Sequence, residues 1–584
     1  MVKDLLKQKI EFRFPGVSFD VLIPPSFAKA SEGKPDLGDY STNMAFVLAK
    51  KDGKDPMEVG EKLATELSKD KDLAGVFEKI EAVKPGFVNF SLKKEFLWKK
   101  LKEISGDKNY GFNETMKGKT IMVEYTDPNP FKLFHIGHLM SNTIGEAISR
   151  LYEALGAKVI RVTWQGDIGM HIAMAVWAIK TGKSGTIPSH NTSLEEKMNY
   201  LGKAYAIGAM TYKEGDSSAK KEIEDVNKSI YKKDGDDVDK IYNLGRQWSL
   251  DYFEDAYKRL GSKFDHYFFE SELGQKGLAI VRNHPDVFEE SEGATIFRGE
   301  KYGLHTRVFI NSSGLPVYEA KELGLNKEKF DLYNPDLSII VTGNEINEYF
   351  KVLLKVMELV MPDVAARTRH VGHGMMRLPT GKMSSRTGDV ITADSLIEQT
   401  KAKLPESENE EANPPSPKGF GGAREKIAIG AIKYSILKQS PGHDIIFDFE
   451  KSLSVKGDSA PYLQYTYARL LSILRKAEQA NFQLARQLAD NFQFLDHELE
   501  LKLIKRLLMF PDVVLESCEE IAPQHLALYL YELSNDANRF YETIRVLEDK
   551  NTERRNARLV LVETVSVVLK NGLNFLGIES LKKI

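Results

Sequence analysis

The pattern of apolar and polar residues in the first half of the chain predicts alternating strands and helices. The apolar run at residues 120–125 predicts a strand, the Asp-Pro-Asn-Pro stretch at 127–130 predicts a turn, and apolar spacing over 138–155 predicts a helix. A second apolar run at residues 158–162 predicts another strand. This order is typical of a βαβ unit, so the region predicts a parallel sheet.

The stretch before this sheet predicts a small α+β module. Residues 12–23 and 87–92 are rich in β-forming residues, whereas residues 57–68 have the apolar spacing of a helix. Residues 24–38 have the Pro, Gly, Ser and Lys content of a loop. Two strands and a helix before the sheet therefore indicate a separate first module.

The residues that follow the βαβ unit predict further strands of the sheet and then a helical bundle. Further strands are predicted at residues 306–310 and 338–341, followed by a helix at 345–360. After about residue 458, glycine and proline become rare and leucine recurs at three- and four-residue spacing. This spacing is typical of packed helices.

Together these patterns predict four regions in a multidomain α/β protein. We expect an α+β domain at residues 1–112 and the parallel-sheet domain at residues 113–395, with a polar, lysine-rich insertion around residues 180–300. We expect residues 396–455 to form a connecting or stem-contact segment, in which the acidic and then Pro/Gly-rich stretch 406–424 predicts a mobile surface loop. A helical domain follows at residues 456–584.

Composition excludes several classes of protein. The 81 basic and 84 acidic side chains give a net charge of −3, which excludes a uniformly basic coat for nucleic acid but not a local basic face. The single cysteine, Cys518, excludes an internal disulfide and a cysteine zinc cluster. No run of eighteen apolar residues and no signal peptide is found in the sequence, so we expect no membrane contact and a cytoplasmic location.

The first chemical motif is His135-Ile136-Gly137-His138, where the first strand and its turn give way to a helix. A helix N-terminus offers free N–H groups and a positive dipole end, which suit phosphate. Gly137 lets a nucleotide approach the backbone, and the two imidazoles can donate hydrogen bonds to phosphate oxygens. Taken alone, the motif also fits a pair of capping or core histidines.

The second motif is Lys382-Met383-Ser384-Ser385-Arg386, with Gly381 and Gly388 beside it. Cationic and hydroxyl side chains on a flexible loop can close over a triphosphate and follow its charge into the transition state. Taken alone, the run equally fits a solvated basic loop.

In this order the two motifs resemble the HIGH and KMSKS signatures of class I aminoacyl-tRNA synthetases. The resemblance implies a Rossmann-type parallel-sheet catalytic domain between an N-terminal α+β domain and a C-terminal α-helical bundle. It also implies ATP with Mg²⁺ as a substrate complex, and no protein-bound zinc or other metal. The implied ATP-binding residues are His135, Gly137, His138, Lys382 and Met383. The implied catalytic residues are Lys132, His135, Gly137, His138, Lys382, Ser384, Ser385 and Arg386.

One departure makes the resemblance more specific. Ser385 stands where the second signature lysine is usual, and Lys132 lies three residues before the first signature histidine. This pairing resembles arginyl-tRNA synthetases, in which we expect Lys132 to supply the missing positive charge. The stretch 166–169 (Gly-Asp-Ile-Gly) also resembles a motif of that family.

The same resemblance implies an arginine pocket. Its residues are Glu124, Asn129, His135, Tyr318 and Glu322. A carboxylate suits this substrate because the planar guanidinium can donate two parallel hydrogen bonds to it. Glu322 replaces the usual Asp, and Ile346 lies where the family often has glutamine.

Both ends of the chain also resemble this family. Residues 38–43 resemble its N-terminal added domain, which implies contact with the tRNA elbow, and residues 461–469 resemble the start of its anticodon-binding domain. Aromatic rings can stack on splayed bases and arginines can hold phosphates. The implied tRNA-binding residues are Tyr462, Gln464, Tyr465, Arg469, Arg539 and Tyr541.

The implied reaction joins L-arginine to tRNA-Arg through arginyl-adenylate, with transfer to the 2′-hydroxyl of the terminal adenosine. We expect a monomer that needs bound tRNA before it activates arginine. Two alternatives stay open at this point: a class I synthetase for another amino acid, and a non-catalytic tRNA-binding relative.

Overall fold

The computed structural model describes residues 2–22, 38–215, 217–233, 235–379, 391–405, 422–482 and 492–583. The predicted loop at 24–38 is described only at Gly38, and most of the predicted surface loop at 406–424 lies outside these residues. In the described part of the chain, no helix is both long enough and apolar enough to cross a membrane.

The N-terminal region is an antiparallel sheet of order β1-β2-β4-β3, covered by helices. Its elements are α1 (Val2–Arg13), β1 (Val21–Leu22), β2 (Tyr40–Thr42), α2 (Met44–Asp52), α3 (Pro56–Leu67), α4 (Lys71–Val76), β3 (Phe77–Val83), β4 (Phe87–Leu92) and α5 (Lys94–Ile104). Helix α3 begins where predicted because the Asp55 carboxylate accepts hydrogen bonds from the first helical amides, and Leu63 and Leu67 are buried beneath it.

The central region contains a five-stranded parallel sheet of order β12-β11-β5-β6-β7. Its first half is β5 (Thr120–Glu124), α6 (Ile136–Ala154), β6 (Lys158–Gln165), α7 (Met170–Lys180), α8 (Leu194–Glu214), α9 (Ser217–Lys232), α10 (Asp237–Leu260), β7 (His266–Phe269) and α11 (Glu270–Arg282). Its second half is β8 (Glu289–Ser291), β9 (Ala294–Phe297), β10 (Arg307–Ile310), α12 (Tyr318–Tyr333), β11 (Leu337–Gly343), α13 (Asn347–Val360), α14 (Pro362–Ala366), β12 (Thr368–His373) and β13 (Met376–Arg377).

Two features of this region differ from the pattern-based expectation. Strand β7 lies inside the stretch predicted as an insertion, yet it pairs with β6 at the edge of the parallel sheet. The strand predicted at 306–310, in contrast, joins β8 and β9 in a separate antiparallel sheet. Both are four-residue strands. So short an apolar run does not show which sheet it joins.

The remaining elements are helical apart from one short strand. They are α15 (Ala393–Ala402), α16 (Ala423–Leu437), β14 (Ile445–Ile446), α17 (Phe449–Leu453), α18 (Ala460–Gln479), α19 (Glu498–Glu519), α20 (Gln524–Thr543) and α21 (Thr552–Phe575). Strand β14 pairs in parallel with β13. The predicted C-terminal bundle is thus formed by α18–α21, whose leucines and valines are buried between them.

The N-terminal domain docks on this bundle through buried polar residues. Asp39 accepts a hydrogen bond from the Leu92 amide at 2.8 Å and forms an ion pair with Lys505 of α19, also at 2.8 Å. The Tyr40 hydroxyl donates to Asp512 of α19 at 3.4 Å. These residues of the 38–43 motif are therefore buried at a domain interface.

Two cations contribute to the contact between the central region and the bundle. Lys433 of α16 donates to the backbone carbonyls of Leu260, at the end of α10, and Gly577, just after α21, at 2.6 and 2.8 Å. Arg150 of α6 donates to the backbone carbonyl of Asn574 at 3.2 Å. We call these contacts the helix junction. It joins the ends of α10 and α21 to α6 and α16.

Candidate active site

The predicted site residues gather at the carboxyl edge of the parallel sheet. The loops after β5, β6, β7, β11 and β12 all leave this edge, because the five strands run in the same direction. In open α/β sheets, this edge is where ligands bind. Glu124 ends β5, and the 166–169 stretch directly follows β6.

Helix α6 begins with a reciprocal histidine cap. The Gly137 amide donates to His135 Nδ1 at 3.1 Å, and the His135 amide donates to His138 Nδ1 at 3.3 Å. The two rings stack with centroids 3.6 Å apart. Because both Nδ1 atoms accept, the neutral rings carry their protons on Nε2. Each imidazole therefore offers an N–H donor away from its own helix cap.

Gly137 makes this stacked arrangement possible. A Cβ atom at position 137 would lie 2.9 Å from Cε1 of His135 and 3.0 Å from its Nδ1. Any side chain at position 137 would therefore displace the His135 ring and break the cap.

Both histidines are held neutral. Burial and the nearby Lys132 ammonium lower the pKa of His135. Burial, followed by His135 and Lys132, lowers the pKa of His138 well below its usual value. At neutral pH the pair acts as hydrogen-bond donors without charge, and the formal positive charge beside them comes from Lys132.

Lys132 lies in the turn between β5 and α6. Its amide donates to the Asn129 carbonyl at 3.2 Å. Its ammonium lies over the ring of Tyr205 in α8, 5.1 Å from the ring centroid. Burial lowers the pKa of Lys132.

The predicted arginine pocket contains a buried cluster of carboxylates with one buried lysine. Glu124 forms a 2.5 Å ion pair with Lys329 of α12, and both side chains are buried. Glu322 is also buried, and its Oε2 has no hydrogen-bond partner among the described residues. Tyr318, four residues earlier on α12, is 41% exposed. The cluster thus combines an accessible aromatic ring with buried carboxylates.

Two carboxyl groups of this cluster, Glu322 and Asp127, favour their protonated forms. Burial and the neighbouring Glu124 carboxylate raise the pKa of Glu322 to about 8, against the opposing effect of Lys329. Burial and Glu124 also raise the pKa of Asp127 well above its usual range. A cationic ligand would relieve this repulsion, because it favours the ionised carboxylates.

Asn129 and Asp167 hold the neighbouring loops. The Asn129 Oδ1 lies so close to Gly166 that a Cβ there would approach it to 2.3 Å. The buried Asp167 accepts hydrogen bonds from the Tyr242 hydroxyl at 3.1 Å and from Arg246 of α10 at 3.0 Å. The Gly-Asp-x-Gly stretch therefore fixes α10 against the sheet edge.

The residues of the second motif, Lys382 to Arg386, lie outside the described residues. The chain is described again from Ile391, and there it pairs with the first motif. The Ile136 amide donates to the Ile391 carbonyl at 3.3 Å, and the Ala393 amide donates to the Phe134 carbonyl at 2.9 Å. Arg386 is five residues from Ile391, a separation that spans at most about 18 Å.

The predicted tRNA-binding residues divide into two groups. A cavity of about 1260 Å³ between the connecting segment and the bundle is lined by Tyr465, Arg469 and Tyr541. The Arg469 guanidinium lies between the two rings, 4.7 and 4.8 Å from their centroids. Further cations of the lining are Arg424, Lys456, Arg475, Lys476, Arg545 and Lys583.

The other three residues do not line this cavity. Gln464 is buried and donates to the Glu579 carbonyl at 2.8 Å, so it supports the core and cannot reach tRNA in this arrangement. The Tyr462 hydroxyl donates to Asn535 at 2.8 Å. Arg539 is exposed.

Three family models match consecutive stretches of the chain. The arginyl tRNA synthetase N terminal domain matches residues 2–92, and the DALR anticodon binding domain matches residues 463–584. The catalytic domain of tRNA synthetases class I (R) matches residues 100–449, more than half of the chain. The chain belongs to the arginyl-tRNA synthetase family.

Relatives of this arginyl-tRNA synthetase extend over nearly its whole length. An arginine–tRNA ligase of Clostridium acetobutylicum is 30% identical over 556 residues, 94% of each chain. One of Fusobacterium nucleatum is 30% identical over 590 aligned residues, 99% of this chain and 98% of its own. The predicted family and enzyme class are therefore confirmed.

Two solved structures share the fold of this synthetase. The Thermus thermophilus arginyl-tRNA synthetase matches with a TM-score of 0.80 at 22% identity, over 100% of this chain and 99% of that one. The Plasmodium falciparum enzyme matches with a TM-score of 0.77 at 22% identity, over 100% and 98%. The predicted fold class is thereby confirmed.

The sequence interpretation of this synthetase missed Lys329. Glu322 lies four residues after Tyr318, and Lys329 lies eleven residues after it. These separations place the three side chains within about 40° of one another around a helix. The sequence alone shows this spacing. It does not show the ion pair with Glu124, because that contact depends on how α12 packs against β5.

Proposed function

We propose that this synthetase activates L-arginine with ATP to form arginyl-adenylate and transfers the arginyl group to the 2′-hydroxyl of the terminal adenosine of tRNA-Arg. The observation that carries the proposal is the carboxyl edge of the sheet, where both a buried carboxylate cluster and a helix N-terminus with two histidine donors lie. One side suits a guanidinium, and the other suits a triphosphate.

The amino-acid end of the site would be formed by Glu124, Asn129, His135, Tyr318 and Glu322. Glu322 accepts the guanidinium once it is ionised, and its unpartnered Oε2 provides the acceptor. Tyr318 supplies an accessible ring beside it. Lys329 compensates the Glu124 carboxylate, so the guanidinium would compensate Glu322.

The phosphate end would be formed by His135, Gly137, His138 and Lys132. The arginine carboxylate attacks the α-phosphate of ATP, and pyrophosphate leaves. The Nε2–H groups of His135 and His138 donate to phosphate oxygens, while Lys132 compensates the charge that grows there. Magnesium enters with ATP as part of the substrate. Catalysis is then positioning plus charge stabilisation.

The loop at 382–386 would complete the phosphate end. Lys382, Ser384, Ser385 and Arg386 supply donors, and Met383 contacts the nucleotide. Ser385 brings no charge where a second lysine is usual, and we assign the missing charge to Lys132. The pairing of residues 391–393 with 134–136 supports this assignment, because the chain that follows the second motif lies beside the first motif.

Contact with tRNA would use the cavity at Tyr465, Arg469 and Tyr541. Its cations suit phosphates, and its rings suit unstacked bases. Tyr462 and Arg539 would lie at the margin of this contact. We propose a cytoplasmic monomer that needs bound tRNA before it activates arginine.

The test is aminoacylation with total tRNA and a panel of amino acids. We expect arginine to be the only amino acid of the panel that is attached to tRNA. We also expect arginine-dependent ATP–pyrophosphate exchange only when tRNA is present. tRNA binding without charging by any amino acid would indicate a non-catalytic relative. Full exchange without tRNA would contradict the proposed tRNA requirement.

The role of Lys132 is tested by Lys132→Ala. We expect kcat to fall by about 100-fold, because one preorganised donor to developing charge contributes roughly 3 kcal/mol. Affinity for tRNA should remain unchanged. Lys203→Ala, at an exposed lysine of α8, is the matched control. Unchanged kcat in Lys132→Ala would remove this lysine from the mechanism.

A further inference from the structure

Among the described residues, no carboxylate forms an ion pair with Lys132. Its ammonium instead lies over the ring of Tyr205, 5.1 Å from the ring centroid. Tyr205 belongs to α8, in the lysine-rich insertion for which the sequence suggested no role in the chemistry. A cation over the face of an aromatic ring is attracted to it, most strongly where water is excluded.

The backbone beside Lys132 is held by α10. The Phe131 amide donates to the Ser249 hydroxyl at 2.9 Å. The Phe131 ring packs so closely on α10 that a Cβ at Gly245 would lie 2.3 Å from it. Phe131 itself has φ of +66°, a conformation that persists only where its surroundings enforce it. The direction in which the Lys132 side chain leaves the backbone is therefore fixed.

The position of Tyr205 is fixed as well. One turn further along α8, Gly208 touches α7 so closely that a Cβ there would lie 2.1 Å from the Met174 carbonyl oxygen. Leu201 and Ala204 of α8 are buried. Helix α8 therefore cannot rotate or slide without breaking these contacts.

We propose that Tyr205 is a positioning residue, whose ring holds the Lys132 ammonium at the phosphate end of the site. This inference rests on the proposed role of Lys132. It gives the insertion a part in the first chemical step, because α8 supplies the ring and α10 orients the backbone.

The physical reason lies in the freedom of a lysine side chain. Lysine has four rotatable side-chain bonds, and an ammonium that must be ordered during the reaction contributes less to the rate than one that is already in place. In many places a carboxylate orders a lysine, but a carboxylate here would compensate the charge that the phosphates need. A ring face orders the ammonium and leaves its charge available.

The neighbouring pKa shifts agree with this geometry. The Lys132 ammonium lowers the pKa of His135, His138 and His171, after the larger effect of burial. His171 follows β6, at the same edge of the sheet. An ammonium held over Tyr205 therefore faces the groups that surround the phosphate end.

The experiment compares Tyr205→Leu with Tyr205→Phe in arginine-dependent ATP–pyrophosphate exchange with tRNA present. We expect Tyr205→Leu to lower kcat by about 3- to 30-fold with little change in KM for arginine, because the cation–π contact is lost. Tyr205→Phe keeps the ring and should retain kcat within about twofold. Tyr212→Leu, also on α8 but facing Glu224 of α9, is the matched control and should leave kcat unchanged.

A double-mutant cycle with Lys132→Ala gives the deciding result. If Tyr205 acts through Lys132, then Tyr205→Leu causes no further loss in the Lys132→Ala background. Independent, multiplicative losses would overturn the inference, as would equal effects of Tyr205→Leu and Tyr212→Leu. A Lys132→Ala enzyme with full kcat would instead overturn the proposed role of Lys132. Circular dichroism and thermal unfolding of each variant show whether it is folded.

Discussion

Glu124, Asp127 and Glu322 bring three carboxyl groups to the proposed arginine pocket, and Lys329 brings a cation that pairs with Glu124. Buried charges of one sign repel each other strongly, so an empty pocket retains protons. The guanidinium of arginine can replace the proton on Glu322. Charge balance then favours an amino acid with a cationic side chain over a neutral one of similar size.

The protonation of Glu322 predicts a pH-dependent affinity for arginine. With a pKa of about 8 in the free enzyme, the carboxyl is mostly neutral below pH 8 and must lose its proton to accept the guanidinium. We expect the Kd for arginine to fall by about tenfold per pH unit from pH 6 to 7, and to level near pH 8.

Calorimetry in buffers with different ionisation enthalpies measures the proton released when arginine binds. We expect release of nearly one proton at pH 7. Glu322→Gln is the control, and it should bind arginine weakly, without proton release and with a flat pH profile over the same range. Binding to the unchanged protein without any proton release at pH 7 would contradict the prediction.

At the scale of elements, the insertion is tied to the sheet by close helix packing. Helices α7 and α8 approach each other at Gly208, where only hydrogen fits beside the Met174 carbonyl. At Gly202, elsewhere on α8, a Cβ atom would lie 3.8 Å from its nearest neighbour, which is an ordinary van der Waals distance. Position 208 therefore requires glycine, whereas position 202 has room for a side chain.

This difference predicts opposite effects of the same substitution. Gly208→Ala forces the helices apart and should lower the free energy of unfolding by about 1–3 kcal/mol. Gly202→Ala should raise it by up to about 1 kcal/mol, because alanine is the better helix former. Urea unfolding followed by circular dichroism measures both. Equal stabilities of the two variants would show that the α7–α8 contact is looser than described.

How far the sequence predicted these elements depended on their length and periodicity. Helix α6 and strands β5 and β6 were predicted to within a few residues, because their apolar patterns are long and contiguous. Helix α1 was missed: residues 12–23 were interpreted as β-forming, whereas α1 continues to Arg13 and β1 has only two residues. The buried residues of α1 are Leu6 and Ile10, which precede the β-forming run.

The site was predictable where a motif is local in sequence. His135, Gly137 and His138 lie in one tetrapeptide, and their cap follows from adjacent residues. Lys329 and Tyr205 were not predicted, since each reaches the site from a distant helix. Gln464 resembled a tRNA contact by its motif, but it faces inward on α18 and bonds to a backbone carbonyl.

At the scale of the whole molecule, the N-terminal domain docks through Asp512, whose charge is poorly solvated. Burial raises its pKa to about 7. An ordinary Asp has a pKa near 3.9, so between about pH 4 and pH 7 the folded state binds a proton that the unfolded state does not. The resulting stabilisation is fully present below about pH 4 and is lost as the pH rises through 7.

The raised pKa of Asp512 therefore predicts that Asp512→Asn increases stability in a pH-dependent way. At pH 8 we expect its Tm to exceed that of the unchanged protein by about 2 °C or more, since no buried charge is left, whereas at pH 5 the difference in Tm should be clearly smaller. Asp496→Asn, at an exposed ion pair with Lys94, is the control and should show no such difference between the two pH values. A Tm gain that is equal at pH 5 and pH 8 would contradict the prediction.

The helix junction has a mechanical consequence. Helix α6 extends about 28 Å from the histidine cap towards it, and α10 passes beside Phe131 before it ends there at Leu260. Both helices therefore link the proposed phosphate end of the site to the C-terminal bundle. We expect a tilt of that bundle on binding tRNA to strain the contacts of Lys433 and Arg150, and this strain would reach both sides of Lys132 together.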